Sequence, residues 1–82
     1  MRLLYAEDEV SMPEAVVDIL TYHKYIVDAV YDGEEALAYA LAGQYDGIIL
    51  DIMMPKLDGL EVLRRLRSTG CRTPILLLTA KT

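Results

Sequence analysis

Apolar residues along the chain fall into four short runs separated by segments with helical periodicity. The first run, Leu3-Leu4-Tyr5-Ala6, stops at the acidic triplet Glu7-Asp8-Glu9 and reads as a short buried strand emerging into water. Ser11 with Glu14 three residues on has the spacing of a capping box. Met12, Val16, Ile19 and Leu20 then recur on one helical stripe, so a helix follows with that stripe facing a core. His23 lies near its end, where the helix dipole favours an exposed imidazole over a ligand role. Ile26 to Tyr31 carries Asp28 as its sole charge and suits a half-buried second strand. Asp32 and Glu35 repeat the cap spacing, Ala36, Leu37, Ala40 and Leu41 form the next stripe, and Gly43 is expected to supply a left-handed exit. Ile48-Ile49-Leu50 is a third buried run ending at Asp51, after which Pro55 and Asp58-Gly59 mark a loop. A third helix is capped by Asp58 and Glu61, with Leu60, Leu63 and Leu66 behind the cap and Gly70 as its stop. Pro74 then introduces a fourth run, Ile75 to Leu78, ending at Thr79.

Strand and helix thus alternate three times before a last strand, with connections that force parallel neighbours joined by right-handed crossovers. The prediction is an α/β layered fold in one domain spanning residues 1–82. In a parallel sheet, residues following the C-terminal ends of different strands gather along one edge, where ligands bind. Here that edge receives Glu7, Asp8, Asp51 and Thr79. Asp51 follows an apolar run and precedes Ile52, a setting in which an ionised carboxylate is costly without compensation. Two like unit charges about 4 Å apart repel by about 4 kcal/mol at an effective dielectric near 20, so a cation is the natural remedy. Oxygen donors without Cys or His suit a hard divalent ion, and Mg²⁺, which keeps waters and combines one or two carboxylates with a phosphate, matches best. Such a site suits phosphoryl transfer, with Asp51 as nucleophile and Thr79 with the Ala80 amide holding phosphate oxygens.

Composition narrows the field further. A hydrophobic share of 54% is that of a folding chain, and aromatics at 7% are all Tyr. A formal charge of −5, with no basic run longer than Arg64-Arg65, argues against direct binding to nucleic acid. No apolar stretch has the length of a membrane span, and Met1 is not followed by a signal-like segment, so no membrane role and a cytoplasmic location are expected. Cys71 stands alone, which excludes an internal disulfide and fits a reducing compartment.

With these residues in place, the sequence closely resembles the receiver domains of two-component response regulators. The resemblance is carried by Glu7-Asp8, by the stretch from Asp51 through Met53, Pro55, Lys56 and Asp58 to Gly59, and by Leu78-Thr79-Ala80. The run Gly59 to Arg67 looks like the OmpR/PhoB-like subclass, whose effector is a winged-helix DNA-binding domain. The resemblance implies a flavodoxin-like parallel sheet of order 2-1-3-4. It also implies that Asp51 accepts a phosphoryl group from a phosphohistidine on a sensor histidine kinase. Glu7, Asp8 and Asp51, with the backbone carbonyl of Met53, would hold Mg²⁺. Thr79 would be the switch hydroxyl, Ala80 the small residue behind it, and Pro55 and Gly59 the shapers of the loop.

The family pattern also has a fifth strand, two further helices, a lysine ending that strand and a reporter aromatic, none of which falls within these 82 residues. An incomplete receiver with impaired phosphorylation is therefore expected. Its fourth strand would be an exposed edge and one sheet face would lack a covering helix, so self-association by edge pairing or element exchange is predicted. The function expected is that of a signalling phosphoacceptor and not of a turnover enzyme. An aspartate-nucleophile phosphatase of the haloacid dehalogenase type needs a second Asp two residues after the first, where this chain has Met53. An engineered or assembly-forming structural fragment with a vestigial acidic site is the alternative.

Overall fold

A computed structural model describes residues 1–8 and 11–78. Its elements follow the predicted alternation: β1 (Arg2–Ala6), α1 (Ser11–Tyr22), β2 (Ile26–Val30), α2 (Gly33–Ala42), β3 (Gly47–Asp51), α3 (Gly59–Ser68) and β4 (Ile75–Leu78). The four strands form one parallel sheet of order β2-β1-β3-β4, with β2 and β4 at its edges.

The register explains the core. Val30, Ala6, Leu50 and Leu77 lie in one row across all four strands, and Leu4, Ile48 and Ile75 lie in a second row on the same face. Helices α2 and α3 contact each other and close that face with Ala36, Val62 and Leu66. Leu4, Ala6, Ala36, Leu50, Val62 and Leu66 are completely buried there. Burial of a full aliphatic side chain contributes about 1.5–3 kcal/mol, which makes this face the main source of stability. The opposite face carries Leu3, Tyr5, Ile49 and Leu76. Tyr5 is buried, but Leu76 is 59% exposed.

Two of the predicted caps are present. The Asp32 carboxylate accepts from the Glu35 amide at 2.8 Å and that of Asp58 accepts from the Glu61 amide at 2.8 Å. The Asp32 carboxyl is held below the usual carboxylate range, chiefly by that amide and also by the Lys56 ammonium. In α3, Glu61 ion-pairs with Arg64 and Arg65, one and the same carboxylate serving both. The Ser11–Glu14 box and the contributions of Met12 and Val16 lie outside the described side chains.

Several helix details differ from the sequence reading. Ile19, Leu41 and Leu60, each assigned to an apolar stripe, are 61%, 53% and 52% exposed. In α3 Leu66 reaches the core as predicted, joined there by Val62, which the sequence reading did not name. Gly43 is not a left-handed exit: its backbone is extended at φ −102°, and its N–H donates to Tyr39 O at 2.8 Å. Among the described residues the left-handed positions are Lys24 (φ 70°), just after α1, Gly70 (φ 90°) after α3, and Lys56 (φ 70°) in the β3–α3 loop. His23 is exposed, as expected, and Cys71 is half-buried beside the core.

Candidate functional site

The site is built by the register of the two central strands. Ala6 pairs with Leu50, so Glu7 leaves β1 beside Asp51 at the end of β3. The result matches the expected gathering: ligand oxygens of Glu7, Asp8 and Asp51 all lie within 4.8 Å of one another. Their surroundings differ. Asp8 is exposed, Asp51 is half-buried and Glu7 is 8% exposed, so the most enclosed carboxylate is Glu7 and not Asp51. Glu7 follows three consecutive buried residues at the end of β1, whereas Asp51 stands where β3 opens into its loop.

Hydrogen bonds orient two of the three acids. Tyr5 Oη donates to Glu7 Oε1 at 3.1 Å, and the Glu7 amide donates to Val30 O at 3.1 Å, tying the site to β2. Burial, reinforced by the carboxylate of Glu7, pushes the Tyr5 phenol up to about 12, so it remains a donor throughout the physiological range. Asp51 Oδ1 accepts from the Met53 amide at 3.2 Å. Met53 is itself 63% exposed. Beside the acids runs an open groove of about 440 Å³ lined by Asp8, Ile52, Met53, Met54, Pro55 and Asp58.

The loop after Asp51 is tightly held. The Gly59 amide donates to Ile52 O at 2.8 Å, and a β-carbon on Gly59 would lie 2.5 Å from Asp51 O, so only glycine lets α3 begin this close to the acid. The Leu57 amide donates to Pro55 O at 2.7 Å, closing a γ-turn on Lys56. Thr79 and Ala80 lie outside the described residues. Leu78, however, pairs with Asp51, and its carbonyl accepts from the Ile52 amide at 2.9 Å, so β4 is hydrogen-bonded to the very end of β3.

A set of three oxygen donors, one of them buried and with no soft ligand among them, fits a hard divalent cation. The family of response regulator receiver domains matches residues 3–82.

The chain belongs to that family.

Transcriptional regulatory protein DltR of Streptococcus agalactiae is 52% identical over 81 residues, which are 99% of this chain and 36% of DltR. The chain thus spans about a third, or less, of the length of the curated relatives it matches. Among solved structures, the receiver domain of the Francisella response regulator 1452 aligns with a TM-score of 0.94 at 32% identity, over 96% of this chain and 65% of that one. The response regulator TrrA of Thermotoga maritima, in complex with Mg(2+)-BeF, aligns at 0.91 and 40% identity, over 99% of this chain and 70% of its own. The receiver fold and the signalling class are therefore established, and a merely structural fragment is not favoured.

Proposed function

We propose that Asp51 is the phosphoacceptor of this receiver unit, spanning residues 1–82, and that Glu7, Asp8 and Asp51 with the Met53 carbonyl hold Mg²⁺. The observation that carries the reading is the convergence of three carboxylates within 4.8 Å at the sheet's C-terminal rim. Bound Mg²⁺ supplies charge compensation for the incoming phosphoryl oxygens. Asp51 supplies the nucleophile: a carboxylate oxygen forms a bond to phosphorus while the bond from phosphorus to a histidine nitrogen of the partner kinase breaks, its electron pair returning to that nitrogen. The Met53 amide on Oδ1 fixes the orientation of the acid, and the neighbouring groove leaves it approachable. Thr79 and Ala80 are the groups proposed to hold phosphate oxygens.

The partner proposed is a sensor histidine kinase, and the unit acts as a stoichiometric acceptor in the cytoplasm. Similarity to a transcriptional regulatory protein supports membership of the OmpR/PhoB-like subclass, in which DNA contact belongs to another domain and not to this acidic one. Among the described residues no helix is long and apolar enough to cross a membrane. Self-association is proposed through β4, an edge strand whose Leu76 is 59% exposed; light scattering at micromolar concentration is expected to give a mass above that of one chain.

Phosphorylation is tested by incubating the protein with a small phosphodonor and Mg²⁺ and measuring the intact mass. One phosphoryl adduct is expected, absent from Asp51→Ala. No adduct on the wild-type chain, or an adduct that survives the substitution, would overturn the assignment.

A further inference from the structure

The segment between Asp51 and α3 carries the Met53 carbonyl proposed above as a metal ligand, and its shape is not intrinsically favoured. Lys56 sits at φ 70°, a region that residues with a side chain adopt only where their surroundings hold them. Those surroundings come from another part of the chain, the start of α2. The Gly33 amide donates to Pro55 O at 3.3 Å. The Lys56 ammonium stands 3.6 Å from Asp32 Oδ2. Leu57 approaches so closely that a β-carbon on Gly33 would fall 1.7 Å from its carbonyl oxygen and 2.6 Å from its Cβ. Gly33 is itself buried, and the obstructing atom is backbone, so the crowding cannot be relieved by turning a side chain.

We infer that Asp32 and Gly33 are positioning residues for the acidic site, acting on the ion through the 52–58 loop without touching it. Asp32 has two duties that can be separated: its Oδ1 accepts from the Glu35 amide and caps α2, while its Oδ2 faces Lys56. Gly33 has one, which is to leave room for Leu57. Any residue larger than glycine must push the Pro55–Leu57 turn outward, and the displacement runs along three residues of backbone to Met53. Outer contacts of this kind set metal affinity by fixing the geometry of the direct ligands. The inference rests on the reading of Glu7, Asp8 and Asp51 as an ion site.

The test is the Mg²⁺ dissociation constant of the ¹⁵N-labelled chain, from amide shifts, alongside the thermal midpoint without the ion. Gly33→Ala is expected to weaken Mg²⁺ binding about tenfold or more. Asp32→Asn keeps a good cap but loses the charge facing Lys56, and is expected to weaken binding about twofold to fivefold. Leu66→Ala, in the core and remote from the loop, should lower the thermal midpoint more than Asp32→Asn does yet leave the Mg²⁺ constant within about twofold. This contrast separates positioning from loss of stability. A folded Gly33→Ala chain with the wild-type constant would overturn the inference. Should Gly33→Ala fail to fold, Asp32→Asn and Lys56→Gln decide, and wild-type constants in both would overturn it. Asp51→Asn distinguishes the two levels: if it titrates like the wild type, the ion-site reading falls, whereas a response lost in Asp51→Asn but unchanged in Gly33→Ala removes only the positioning role.

Discussion

The two rims of the sheet treat charge in opposite ways. At the rim where the strands begin, unlike groups meet: Asp28 Oδ2 accepts from Tyr45 Oη at 2.6 Å and from Arg2 Nη2 at 3.1 Å, the Arg2 amide donates to Asp46 Oδ2 at 2.8 Å, and the Arg2 guanidinium lies 5.5 Å from the centre of the Tyr45 ring. At the rim where the strands end, three carboxylates crowd within 4.8 Å. The first arrangement ties β1, β2 and the approach to β3 together and is complete in the absence of any ligand. The second brings like charges together, and it is the end at which a bound cation is proposed above. On the proposed reading, the ligand-independent ties and the ion site lie at opposite ends of the same four strands.

The sharpest way to break this contrast is to supply the ion. At a concentration 100 times its dissociation constant, Mg²⁺ should stabilise the chain by about 2.7 kcal/mol. For a domain of this size that raises the thermal midpoint by about 10 °C or more. In Asp51→Asn this shift should largely vanish, while the ion-free midpoint stays level or rises because one like charge is gone; a full Mg²⁺ shift in that variant would mean the acids do not share an ion.

A smaller effect is expected at the opposite rim. Tyr45→Phe removes a hydrogen bond to a charged acceptor and should cost about 1.5 kcal/mol in denaturant unfolding, with the Mg²⁺-dependent shift unchanged. It should also alter acid sensitivity. The Tyr45 hydroxyl, with help from Arg2, holds the Asp28 carboxyl below its ordinary 3.8. A depressed folded value contributes stability that is present above the unfolded value and is lost as pH falls through the folded one. The wild-type chain should therefore lose this contribution below pH 3.8, and Tyr45→Phe should show a shallower loss over the same interval. Arg2→Gln should have the least effect. Half-exposed ion pairs contribute up to about 1 kcal/mol, and its cost should shrink further in high salt.

Much of the architecture was legible because each signal had a direct mechanical cause. Runs such as Ile48-Ile49-Leu50 and Ile75 to Leu78 are strands, the first buried or half-buried and the second half-buried except at the exposed Leu76, and the caps at Asp32 and Asp58 satisfy amides three residues on, as their spacing required. The acidic rim followed from parallel topology alone. Side-chain orientation within helices was less legible. Leu41 and Leu60 are apolar yet face outward, since composition names candidates for a stripe but the angle at which a helix seats on the sheet selects among them. Gly43 shows the same limit: a glycine after a helix permits a left-handed exit without requiring one. The depth of Glu7 relative to Asp51 depends on what surrounds the end of β1, which no local pattern encodes. Gly33 carried a signal only as a residue beside a cap. Its close contact with Leu57 joins positions far apart in sequence and becomes visible only in three dimensions.

The abutment of Gly59 on the carbonyl of Asp51 carries a mechanical consequence. With 2.5 Å between that oxygen and the place of a missing methyl group, the first turn of α3 has almost no slack against the end of β3. At its far end, Arg67 Nη1 grips the carbonyls of Cys71 and Thr73 at 3.0 and 2.8 Å, just ahead of β4. The helix is therefore held at both ends, by the close approach of Gly59 to β3 and by the grip of Arg67 on the lead-in to β4, so neither end can be re-seated without disturbing a strand.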